Sequence, residues 1–376
     1  MNNIIVVNPG STSTKLAIYS FVNNISDRSA IECNKIDMEE INNENPAADF
    51  LEDLRERHKK AINFMKKNSE KLGTVIAVAG RGGLLKPSKG GVYRVNDEMI
   101  DDLVSCRYGT HASNMGAPIA YEIAGLYNVD AFIAYPVTLD EMDDIARYTG
   151  IPEIQRKSYF HALNQKSVAK KVSIELGMEY GHVNLIVAHL GGGITVGLHV
   201  RGKVVDVNNG LDGDGPFSVE RSGSIPPGDL VKLCYSNRYS YKAMYKKIVG
   251  EGGIFAHLGT KDAFFIKKIM SDETVRYHIK TALTKDKVKM VIDACIYQVS
   301  KSICALACYT CGKIDGVVLT GGLARFEYFV QEIKRRVSFI SKVFIIPGEE
   351  EMKALCESVV FALQGIEKIY EYRSEG

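Results

Sequence analysis

The sequence has no basic leader and no apolar run of about eighteen residues, the length at which a membrane-crossing helix becomes possible. It opens MNNIIVVNPG, where a secretory signal would show positive charge and a longer apolar core. A cytoplasmic location and no membrane partner are therefore expected. Charge of one sign is lacking too. The 47 Lys and Arg residues against 45 Asp and Glu leave a formal charge of +2, which gives no reason to expect nucleic acid as a partner. Cysteines number eight, mostly scattered. Cys304, Cys308 and Cys311 cluster in CALACYTC, but no fourth ligand lies nearby, and their helical spacing beside Ile303 and Leu306 predicts buried thiols on a helix face. A calcium loop is also missing: DGDG at 212–215 would need Glu at position 223, where Gly223 stands. That stretch reads instead as a glycine-rich loop connecting Asn209 to Arg221.

What is present is an ordinary globular composition, 45% hydrophobic and 24% charged, in a chain of 376 residues that is long enough for two domains. Strands are expected at 4–7, 16–19, 75–78, 131–134 and 183–189, then within GKVVDVNN and GVVLTGGLA. Helices are expected at about 47–70, from about Ala112, and from Lys287 to Thr310, where Val288, Val291, Cys295, Val299, Ile303 and Leu306 form one stripe. Such alternation predicts an α/β protein. About 180 residues separate the turn at Gly10 from the turn at Gly191, which suggests two related halves.

Three glycine turns follow apolar strands: NPGSTSTK at 8–15, Gly191-Gly192-Gly193, and Thr320-Gly321-Gly322. The first is no Walker A loop, because Lys15 opens a strand rather than a helix. A tight turn with hydroxyls and a lysine can still cradle phosphate, and on its own it reads equally well as a plain polar hairpin. Three such turns across two halves fit a bound nucleotide better than three unrelated hairpins do.

Seven segments, NPGSTSTK, GRGGLLKP, HASNMGAPIA, KSYFHALNQKSVA, HLGGGITVG, NNGLDGDGPFSVERSGSIPPGDL and LTGGLA, resemble the butyrate kinases, a branch of the acetate kinase group. The resemblance implies an actin-like ATPase (ribonuclease H-like) fold, with two duplicated domains on mixed sheets and a nucleotide cleft between them. Residues 1–165, joined by a C-terminal helix at about 355–376, would form the first domain, and 166–354 the second. It further implies reversible transfer of phosphate from ATP to butyrate, or to a close short-chain or branched acid, giving ADP and an acyl phosphate. The partners would be a small carboxylate and a nucleotide, and the chain is expected to form a homo-oligomer, a dimer or higher.

By the same resemblance, Arg81 and Arg221 would contact the carboxylate and the transferring phosphoryl group. His161 would donate to that group, and His111 would lie beside the substrate; the plain alternative for a histidine at a helix start is a cap. Asn8, Ser11, Ser13 and Lys15 would surround the phosphates from the first domain, and Gly191, Gly192 and Gly193 from the second. Gly321 and Gly322 would lie under the α-phosphate or ribose. Magnesium is expected with ATP, with Glu350 and Asn8 as its protein neighbours and Glu351 adjacent. Two positions depart from the group. Tyr135 stands where an aspartate is usual, so a larger magnesium requirement is expected, and Arg325-Phe326 replaces a Tyr-Asn pair. These departures motivate a second reading, a nucleotide-binding protein on the same fold with weak or no turnover.

Overall fold

The structure is a computed structural model that describes residues 2–10, 13–21, 33–42, 49–270 and 283–374. Its strands are β1 (Asn2–Pro9), β2 (Ser13–Phe21), β3 (Cys33–Asn42), β4 (Thr74–Arg81), β5 (Val92–Arg94), β6 (Asp130–Ala134), β7 (Asn184–Leu190), β8 (Ile194–Val200), β9 (Lys203–Val207), β10 (Gly316–Gly321), β11 (Val343–Pro347) and β12 (Ile369–Glu371). The chain divides into two compact units, one of residues 1–140, 162–164 and 350–376, the other of 141–161 and 165–349.

The first unit is built on a sheet of order β12-β5-β6-β4-β1-β2-β3. Inside it, between β4 and β2, lies β1, where Ile4, Ile5, Val6 and Val7 are all buried, as an apolar run covered on both faces should be. β1 runs antiparallel to β2 and parallel to β4, and β4 runs parallel to β6. The second unit has a sheet of order β11-β10-β7-β8-β9. Here β7 runs antiparallel to β8 and parallel to β10, which runs parallel to β11. The series β3-β2-β1-β4-β6 and β9-β8-β7-β10-β11 are thus one pattern made twice, a three-stranded meander continued by two parallel strands. The duplication expected from the spacing of the glycine turns is present in the topology.

Helices cover the sheets. The Phe50–Lys67 helix starts at Asp49, whose carboxylate accepts from the Leu51 N–H; Glu52 and Asp53 lie in its first turn and Lys66 and Lys67 in its last, so both ends suit the helix dipole. The Lys285–Leu306 helix is capped by Thr284 and buries Val288, Ile292, Cys295, Ile296, Val299 and Ile303. Each such aliphatic side chain contributes roughly 1.5–3 kcal/mol on burial. Among the described residues, this helix with its extension to Thr310 is the one that is long and apolar enough to cross a membrane by length and composition. Its buried stripe packs in the core of the second unit, with Ile186, Leu198, Val317 and Phe329 in the same cluster.

One expectation fails at the end of that helix. The α-helix stops at Leu306, a short 3-10 turn covers Ala307–Thr310, and Cys311 has a left-handed φ of 51°. Cys304 is half-buried while Cys308 and Cys311 are exposed, so the three thiols share no buried face. Helical spacing was read past the point where the helix ends.

Candidate active site

In the first unit the β1–β2 hairpin sets Asn8 opposite Lys15. The Gly10 N–H closes the turn on the Ser13 carbonyl at 2.7 Å. Ser13 Oγ donates to Glu40 at 2.7 Å, and Lys15 Nζ stands 3.9 Å from the same carboxylate. Ser11 lies outside the described residues. The turn is held from behind by Arg57, which is 2% exposed and donates to Gly10 O at 2.8 Å, Ser13 O at 3.2 Å and Thr14 Oγ1 at 2.9 Å. Asp53, one helical turn earlier, accepts from Arg57 Nε at 3.0 Å and neutralises it. The sequence reading missed Arg57. Its signal was available, since an arginine falls on the helix stripe of Phe50, Leu54, Ala61 and Met65, where a solvated charge would not.

Arg81 ends β4, and two close approaches fix it there. A Cβ on Gly80 would meet the Gly116 carbonyl oxygen at 2.5 Å, and one on Gly83 would meet Asn114 at 2.5 Å, so the GRGG strand end lies directly on the chain that enters the Gly116–Tyr127 helix. The Arg81 guanidinium pairs with the Glu351 carboxylate, whose other oxygen accepts from Asn8 Nδ2 at 2.9 Å. Of the adjacent acidic residues it is therefore Glu351 that joins Asn8. Glu350 precedes the Glu351–Leu363 helix, and its carbonyl accepts the Ala354 N–H at 2.8 Å. His111 caps a short 3-10 helix at Ala112–Met115: its Nδ1 accepts the Ser113 N–H at 3.2 Å and lies 2.7 Å from Ser113 Oγ.

In the second unit the β7–β8 hairpin carries the 191–193 turn, closed by Gly191 N–H to Gly193 O at 3.2 Å. The Arg221 guanidinium lies against Gly193, in the space that a Cβ there would fill. Among the described residues no carboxylate pairs with Arg221, and its buried Nε has no hydrogen-bond partner. Burial pulls the guanidinium down from its ordinary value, opposed by the charges of Glu220 and Asp212. Gly321, at φ 89°, lies on the backbone of Leu190, with Leu190 O 2.5 Å from where a Cβ would be. Gly322 has open space on its side-chain face.

His161 stacks on His189, with ring centroids 3.7 Å apart and planes within 9°. His161 Nδ1 lies 2.9 Å from Thr195 Oγ1, and His189 Nε2 lies 2.9 Å from Glu349. The second unit thus gathers His161, Arg221 and two glycine turns, with His189 as a member that the sequence reading did not single out. A histidine two residues before a glycine turn, on a buried strand, was the available sign.

A model of the acetokinase family matches residues 146–352, more than half of the chain. The chain belongs to the acetokinase family. This family comprises carboxylate kinases that use ATP and ADP, normally with magnesium. The fold agrees. An acetate kinase from Porphyromonas gingivalis superimposes with a TM-score of 0.74 at 17% identity, covering 96% of this chain and 99% of that one. A propionate kinase from Francisella tularensis gives 0.72 at 18% identity, covering 95% and 99%, and an acetate kinase from Entamoeba histolytica 0.70 at 17%, covering 94% and 98%. The actin-like ATPase fold with two domains is the fold of this acetokinase-family chain.

The two departures from the family pattern have structural roles. Tyr135 has a left-handed φ of 45°, is 7% exposed, and donates its hydroxyl to Glu367 at 2.6 Å. Aspartate is among the residues that tolerate this backbone conformation, while a tyrosine there is strained. Arg325 lays its guanidinium against Gly348, whose φ of 96° and lack of Cβ make room for it.

Proposed function

We propose that this acetokinase-family chain phosphorylates butyrate, or a close short-chain or branched acid, with ATP and reversibly, giving ADP and an acyl phosphate. The observation that carries the reading is Arg221: a largely buried cation with no carboxylate partner among the described residues, laid along a glycine turn, is arranged to receive an anion. Leaving such a group uncompensated costs stability, which an incoming phosphoryl oxygen or carboxylate would recover.

The chemistry asks little of the protein beyond positioning and charge. A carboxylate acceptor with a pKa of about 4–5 is already ionised at neutral pH, so no general base is required. The obstacle is repulsion between two anions, which fixed cations and donors reduce. In the second unit Arg221 supplies a planar fork and permanent charge, the glycine turns offer backbone N–H groups, and His161 supplies a ring N–H. In the first unit Asn8, Ser13 and Lys15 would serve phosphate oxygens. Arg81 would turn from, or share, Glu351 to meet the acid.

Magnesium fits the donors present only as an ion that brings most of its own ligands. Among the described residues no group of three or more His, Cys, Asp or Glu could enclose a metal, while Asn8 and Glu351, with Glu350 next in sequence, offer hard oxygen atoms. When bound with ATP the ion would neutralise phosphate charge. The deciding experiment is ADP release with ATP, magnesium and a panel of acids from acetate to isovalerate, run with wild type and Arg221→Ala. Turnover highest on butyrate or a neighbour, and at least roughly a hundredfold lower kcat in the variant, is expected. No turnover on any acid, or full kcat in Arg221→Ala, would sink the proposal.

A further inference from the structure

We propose that Tyr180, His199, Gln165 and Thr195 form a one-way hydrogen-bond relay that fixes the His161 imidazole as the neutral tautomer with its proton on Nε2. The inference deepens the preceding reading and rests on it for the catalytic use of His161; the relay itself stands on geometry within the second unit.

The direction of the relay is set at Gln165. Its Nε2 lies 3.1 Å from the Thr195 carbonyl oxygen, which can only accept, so the nitrogen side of the carboxamide must face Thr195. Gln165 Oε1 then faces His199 Nε2 at 3.1 Å, and that nitrogen must donate. His199 is fully buried, and burial, together with the nearby Lys166 ammonium, keeps it neutral. With its proton on Nε2, its Nδ1 is the acceptor, and the Tyr180 hydroxyl donates to it at 2.7 Å.

On the other side, Gln165 Nε2 donates to Thr195 Oγ1 at 2.9 Å. Thr195 is also fully buried, and among the described residues its hydroxyl proton has one acceptor within reach, His161 Nδ1 at 2.9 Å. His161 Nδ1 therefore accepts, and the neutral ring carries its proton on Nε2. The opposite tautomer would make Thr195 Oγ1 accept twice and strand its own proton in a site without water access.

Space has been made for this arrangement. Gly197 sits mid-strand in β8, where glycine weakens a strand, and a Cβ there would lie 2.4 Å from Gln165 Oε1. On Gly210 a Cβ would meet the Thr195 methyl. Two glycines thus clear the carboxamide and the threonine. The relay makes His161 a hydrogen-bond donor toward an anionic oxygen rather than a base, in keeping with an acceptor that has no proton to lose. Thr195 and Gln165 are positioning residues in this account; they act through His161.

The test is the nitrogen spectrum of the full chain labelled with [15N]histidine, which distinguishes protonated from unprotonated Nδ1 and Nε2, with the His161 signals assigned by their loss in His161→Gln. Wild type should show a protonated Nε2 and an unprotonated Nδ1. Thr195→Val, nearly isosteric, should lose the fixed tautomer, and Thr195→Ser should keep it. In parallel, kcat should fall roughly tenfold or more in Thr195→Val and recover in Thr195→Ser, with the KM of the acid little changed. A wild-type Nδ1 that carries the proton overturns the relay, and so does a Thr195→Val spectrum that matches wild type. The expected spectra with an unchanged kcat would uphold the relay and remove His161 from the transfer step.

Discussion

The Arg221 guanidinium and the α-carbon of Gly193 are in direct contact, so the arginine and the third glycine of the turn fit only as a pair. Gly193→Ala should displace Arg221 and lower kcat for acyl phosphate formation by roughly tenfold to a hundredfold. Gly192→Ala is the control, because the nearest atom to a Cβ there is Glu220 Oε1 at 4.0 Å. Steady-state kinetics in which the two variants behave alike would show that the Gly193 contact does not hold Arg221 for catalysis.

Arg57 should matter to both stability and nucleotide affinity. Its removal leaves Asp53 buried at 7% exposure and frees the carbonyls of Gly10 and Ser13 from their brace. Breaking a buried pair in this way costs about 3–5 kcal/mol. Arg57→Ala is therefore expected to lower the urea midpoint and raise the KM for ATP. An unchanged KM in the folded variant would show that the hairpin keeps its shape without the arginine.

Sequence alone disclosed the strands that carry the glycine turns, because buried apolar runs such as Ile4–Val7 and Leu185–Leu190 have few other structural solutions in a chain of this length. The duplication was legible for the same reason. What stayed hidden were contacts joining residues distant in sequence: Asn8 to Glu351, Arg57 to the first turn, Gln165 to Thr195. Chain topology decides these, and periodicity carries no record of it. The thiols at 304–311 show the limit within one element, since spacing alone does not mark where a helix stops.

His199 makes stability depend on pH. Its folded pKa lies well below the ordinary histidine value because of burial, with Lys166 adding to the effect. Below about pH 6.5 the unfolded chain takes up a proton at this residue that the folded chain does not. Stability should therefore fall as pH drops from 6.5 toward 5, by up to about 1.4 kcal/mol per pH unit from this residue, and be level above 6.5. Urea unfolding of wild type and His199→Gln across pH 5–8 checks this. Equal slopes in the two proteins would mean that His199 titrates alike in both states.

Tyr135 donates a hydrogen bond to Glu367, and a role confined to that bond predicts an ordinary magnesium requirement, against the larger one expected from the sequence. Tyr135→Phe should cost about 1.5–3 kcal/mol, the range for a hydrogen bond to a charged group. Its magnesium titration at fixed ATP and saturating acid should superimpose on that of wild type. A shifted magnesium midpoint would return Tyr135 to the metal's surroundings.

The seat of Gly321 on the Leu190 backbone has a mechanical consequence. Leu190 leads into the 191–193 turn and Gly321 into Gly322, so the two loops start from backbones packed against each other with no room for a side chain between them. The two loops should therefore behave as one piece, their amides exchanging with deuterium together in a single opening event rather than loop by loop. A ligand that grips either one would slow exchange in both.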